Sequence, residues 1–169
     1  MNATTLCIDF ITSGQLLGAG LDSSPETWDQ ALGGADWPLI DVRRRRMRRD
    51  YGLVEVSFEK WDTNWSCVNT SVHVHRLRGE RDLLVPPEID ATYGPIEPVV
   101  TFAEVQEEAL AKGAVVELIA DRDTELHSRY WFPRSGVIVS VQGPSLDAPG
   151  SIWSAGRARD AANWKSPHS

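Results

Sequence analysis

The residues best placed to do chemistry are two histidines separated by a single residue, in Val72-His73-Val74-His75. Alternate side chains of a strand share a face, so an H-x-H pair presents both imidazoles together, as some zinc and iron sites require. A third ligand is needed, and Glu55 or His127 would have to supply it. Two ligands alone hold a metal poorly, so the pattern favours exposed, partner-facing histidines over a small metal- or ligand-dependent enzyme built on His73, His75 and Glu55. Cys67 cannot join His73 in a nucleophilic dyad, because six strand residues separate them, about 20 Å. Ser13-Gly14 and Gly18-Ala19-Gly20 are not followed by lysine and threonine, and G-x-G-x-x-G is missing. No phosphate- or dinucleotide-binding loop is recognisable, so no cofactor is expected and no catalytic residue is assigned.

Arg43-Arg44-Arg45-Arg46-Met47-Arg48-Arg49 places six arginines in seven positions. Guanidinium forks match phosphate oxygens, so the run could serve a nucleic-acid-associated regulator. Asp41 and Asp50 bracket it, however, and the whole chain carries a formal net charge of −7. That balance disfavours non-specific binding to nucleic acid and suits a basic partner. The simpler expectation is that alternate arginines face solvent while others lie across neighbouring carboxylates. Seven tryptophans are spread through the chain. Trp28 fits a helix core and Trp131 a strand. Trp61 and Trp65 flank a turn, where they either clasp the turn or anchor a partner, since tryptophan buries much area with few rotors.

These groups must be positioned by one domain of ordinary composition. At 169 residues and 41% hydrophobic content, the chain can bury a core without a metal or disulfide staple. Cys7 and Cys67 form neither a disulfide framework nor a C-x-x-C pair. The N-terminal stretch lacks a positive n-region, and Asp9 interrupts Leu6 to Ile11, so neither a signal peptide nor a membrane span is read there. A reducing, cytoplasmic compartment is expected, with no membrane partner.

A helix is predicted over residues 24–32, capped by Ser23 or Ser24, with Glu26 completing a box with Ser23 and Gly33-Gly34 ending it. A second runs from about Phe102 to Lys112, with Thr101 and Glu104 as its capping box. Between them, Gly52 to Glu59 and about Ser66 to Leu77 alternate as two strands of a hairpin. Pairing about Thr63 sets Val54 opposite Val72 and Phe58 opposite Val68 in the core. The other face then carries Tyr51, Glu55, His73 and His75. Residues 79–98 read as a Pro/Gly-containing connection. Strands follow over 114–120, 127–132 and 136–142. The fold class is α+β, with two helix-plus-antiparallel-sheet units (about 14–78 and 99–143) in one domain spanning 1–149. Gly150 to Ser169 lacks periodicity and reads as a loosely attached tail.

At Leu17-Gly18, Ser24-Pro25-Glu26-Thr27-Trp28, Ala31-Leu32-Gly33, Arg48-Arg49-Asp50-Tyr51-Gly52-Leu53-Val54-Glu55 and Val74-His75-Arg76-Leu77, the chain resembles a family of small uncharacterised actinobacterial proteins. Some of these look like immunity proteins that neutralise polymorphic toxins. The resemblance covers about residues 14–77 and implies a fold more than an activity. The paired halves are also similar in architecture to proteinaceous β-lactamase inhibitors. Together these features point to a cytoplasmic immunity or inhibitor protein that binds a cognate, basic protein toxin. Its expected contact residues are Tyr51, Glu55, Glu59, Trp61, Asp62, Trp65, His73 and His75.

Overall fold

A computed structural model describes residues 2–79, 84–119 and 124–160. Helix begins earlier than the pattern suggests. Asn2 accepts the Thr5 amide at 3.1 Å and opens α1 (Ala3–Ser13), and Gly14 closes it with a left-handed backbone. In α2 (Pro25–Leu32) the capping oxygen belongs to Ser24, which accepts the Thr27 amide at 3.1 Å. Ser23 instead accepts the Gly20 amide, so the expected box with Glu26 does not form. The chain continues through β1 (Leu39–Arg43), β2 (Arg46–Asp50), β3 (Val54–Trp61), β4 (Asn64–Val72) and a 3-10 turn (Val74–Arg78). Next come α3 (Pro87–Tyr93), α4 (Phe102–Ala111), β5 (Glu117–Ile119), β6 (His127–Phe132), β7 (Val137–Gln142) and β8 (Ile152–Ala158). The segment read as a plain connection thus contains α3. Thr101 stands at the cap of α4, but its side chain makes no capping hydrogen bond.

The fold is α+β. The strands form one antiparallel sheet in the order β1-β2-β3-β4-β8-β7-β6-β5. Among the described residues, each half supplies two helices and then a four-stranded meander. The last strands of the two meanders, β4 and β8, pair at the centre. Helix-facing side chains from both halves merge into one core, including Phe10 and Ile11 of α1, Trp28 of α2, Val56 and Phe58 of β3, and Val137 and Val139 of β7.

Residues 150–160 are therefore no tail, and the second half extends through β8. Ile152 and Ala155 are buried. A Cβ at Gly156 would meet Ser71 Oγ at 3.1 Å. Small residues here permit close approach of neighbouring strands, which composition alone reads as looseness. The rest of the expected tail, 161–169, lies outside the described residues.

The β3–β4 register follows the predicted pairing from Val54↔Val72 to Ser57↔Asn69 and then slips by one. The turn is only Asp62-Thr63, with Asp62 at φ 56, so Phe58 faces Cys67. Val68 becomes the extra residue of a β-bulge, half-buried, while Cys67 takes its place in the core. The second strand also ends sooner than expected. After Val72 the His73 amide donates to the Leu53 carbonyl at 2.7 Å and the chain winds into the 3-10 turn. His73 and His75 consequently do not lie on a strand.

Candidate functional site: the uncovered sheet face

The helices cover one face of the sheet, and alternation assigns the opposite face to polar and aromatic side chains. On it stand Arg46 and Arg48 of β2, Glu55, Ser57 and Glu59 of β3, Asn69 and Ser71 of β4, Gly156 of β8 and Ser140 of β7. The central strands thus carry small groups, and the flanks carry large ones.

Where the 3-10 turn meets β8, four rings form a row. His73 lies edge-on to His75, with centroids 5.5 Å apart. His75 stacks flat on Trp153 at 4.1 Å, and its Nδ1 sits 3.0 Å from the Trp153 carbonyl. His127 also meets Trp153 edge-on, at 5.3 Å. Burial, with Arg76 adding to it, pushes the His73 pKa down to about 4, and burial lowers His75 as well. Both rings are therefore neutral near pH 7. Trp153 escaped the sequence reading because, Ile152 apart, the residues around it are Ser, Gly and Ala, which a central strand under close approach selects.

The expected contact residues divide. Tyr51 is fully buried on the helix side, where its hydroxyl donates to Asp29 Oδ1 at 2.7 Å. The cause is Gly52, whose φ of 85 breaks the alternation between Tyr51 and Val54. Glu55 is held by Arg76 at 3.2 Å and Arg48 at 3.6 Å, and Arg76 also donates to Asp50 at 3.0 Å. Glu59 faces Arg46 at 3.7 Å. Trp61 is 57% exposed, and Asp62 is exposed beside it. Trp65 is half-buried beneath the Lys60 ammonium, 5.7 Å from its ring centroid. His73 and His75 are half-buried rather than freely exposed, because they are packed in the ring row.

Glu55 is engaged by arginines, and the His127 ring packs edge-on against Trp153. Among the described residues no three His, Cys, Asp or Glu side chains are grouped to hold an ion. The two thiols are free and buried, and burial raises that of Cys7 to about 12 and that of Cys67 as well. Neither is a ready nucleophile. The arginine run is the β1–β2 hairpin, with Arg44 at its turn. Arg49 alone is turned inward, to Asp29.

No protein-family model matches the chain, nor does any curated protein or solved structure. Among the described residues no helix is long and apolar enough to cross a membrane.

Proposed function

We propose that this protein is an inhibitor of the immunity type, which binds a cognate protein toxin and neutralises it through the uncovered sheet face. The observation that carries the reading is that face itself: an eight-stranded sheet presenting an exposed Trp61 and the His73–His75–Trp153–His127 row. Tryptophan and arginine dominate binding energy at protein interfaces, and a preformed sheet loses little entropy on docking. The free thiols suit a reducing, cytoplasmic setting. The toxin as partner is supported by the sequence resemblance over residues 14–77.

The local charge revises one part of the expectation. Glu55 and Glu59 already face arginines, so they offer a basic partner less attraction than the net charge implies.

The test is affinity capture from cells carrying the gene, followed by co-expression of the captured protein with wild type or variants. Wild type should restore growth when co-expressed with a toxic partner, and a Trp61→Ala/Trp153→Ala variant that retains its fold should not. A partner whose toxicity is suppressed equally by both, or capture of no protein at all, contradicts the proposal.

A further inference from the structure

The −7 charge is not evenly spread. Glu88 and Asp90 of α3 and Glu104, Glu107 and Glu108 of α4 are exposed on the helix layer. The uncovered sheet face of the first half is different. It sinks into a cleft of about 640 Å³ whose lining includes Arg43, Arg46, Arg48 and Arg159, with Trp61 and Asn69. A volume of that order holds a few residues of a loop, comparable to sites that take a drug-sized ligand.

The cross-strand arrangement in this cleft works against stability. Arg43 stands directly opposite Arg46 in the β1–β2 ladder, a like-charge pair that destabilises a sheet. Their carboxylate neighbours do not saturate them. Asp41 lies 3.5 Å from Arg43, and Glu59 lies 3.7 Å from Arg46, both beyond a tight charge-assisted hydrogen bond. The side chains of Arg43 and Arg46 are 82% and 85% exposed, so most of their donors face water. Arg49, two residues past Met47 in the same run, shows the alternative of a guanidinium fixed inward by Asp29.

We infer that this cleft receives an acidic loop of the protein partner, its carboxylates taken by Arg43, Arg46 and Arg48 and an apolar side chain resting on Trp61. A continuous phosphate backbone fits less well, because Asp41, Glu59 and Asp160 share the lining and would repel it. Separated carboxylates can interleave with those acids. The inference deepens the inhibitor reading, on which it rests for the partner's being a protein.

The probe is a fluorescently labelled, capped hexaglutamate peptide, with hexalysine and a short oligothymidylate as comparisons, titrated at about 20 mM and 150 mM salt. Wild type should bind hexaglutamate at low salt. An Arg43→Gln/Arg46→Gln/Arg48→Gln variant should bind roughly tenfold or more weakly with an unchanged circular dichroism spectrum. Exposed arginines leave the fold intact on substitution, and an Arg43→Lys/Arg46→Lys/Arg48→Lys variant, which keeps the charge but not the forks, should fall between. Absence of hexaglutamate binding, equal binding by wild type and the glutamine variant, or tighter arginine-dependent binding of the oligonucleotide overturns the inference. A captured partner whose binding ignores the glutamine variant overturns it while leaving the inhibitor reading in place. Arginine-dependent peptide binding with no toxin captured does the reverse.

Discussion

The Tyr51 hydroxyl donates to Asp29 Oδ1 at 2.7 Å while the Arg49 guanidinium reaches the other oxygen of the same carboxylate, so a single buried acid ties α2 to the end of β2. The side chains of Asp29 and Arg49 are only 10% and 13% exposed. Burial and the Asp29 carboxylate both raise the Tyr51 pKa, keeping it a donor throughout the physiological range. Removing the acid leaves a buried guanidinium without its counter-ion. Asp29→Ala should therefore cost about 3–5 kcal/mol, against about 1–2 kcal/mol for Tyr51→Phe, which loses one hydrogen bond. Urea unfolding midpoints measure both, and an Asp29→Ala loss no larger than that of Tyr51→Phe would contradict the arrangement.

The position of β8 makes a second expectation. A chain ending at Pro149 loses the strand between β4 and β7, exposing two long sheet edges and the floor of the core beneath Ile152 and Ala155. It should show no cooperative thermal transition and no near-ultraviolet circular dichroism. A truncated chain that still unfolds cooperatively would show that β8 is dispensable.

Acid should act through His73. Its folded pKa of about 4 lies below its ordinary 6.5, so between those values the unfolded chain binds the proton first. The contribution of the neutral ring is complete above pH 6.5, declines as the pH falls towards 4, and is flat below. Comparing wild type with His73→Asn isolates this term from other acid effects. The stability difference between them should change across that window in the direction of a weakening wild type. Parallel curves for the two proteins would mean that His73 is not held neutral.

The α+β class, α2, most of α4, β6, β7 and the first half of the β3–β4 ladder were legible because their periodicity or caps are local. What escaped depended on tertiary surroundings. Helix α1 is buried almost all round, so Leu6, Cys7, Ile8, Phe10 and Ile11 show no single apolar stripe. Its Asp9 is accommodated by the Tyr93 hydroxyl at 3.1 Å, a partner 84 residues away. The bulge at Val68 follows from a two-residue turn that a turn-rich Asp62-Thr63-Asn64 does not specify. At the site, the charge run suggests arginines lying across neighbouring carboxylates, but the partners, Glu59 for Arg46 and Glu55 for Arg48, follow from the β2–β3 pairing. The inward Tyr51 and the Trp153 stack could not be anticipated, since one depends on a glycine bend and the other on a strand with no apolar run.

The measurement closest to the central claim is the dissociation rate of the captured partner from two variants. Trp61→Ala removes an exposed side chain from the uncovered sheet face, and Glu104→Gln/Glu107→Gln/Glu108→Gln neutralises the exposed surface of α4. If the sheet face is the interface, Trp61→Ala should speed dissociation by roughly 30-fold, equivalent to about 2 kcal/mol, and the α4 variant should leave it unchanged. Faster dissociation from the α4 variant, with Trp61→Ala indistinguishable from wild type, would place the partner on the helix layer and contradict the account.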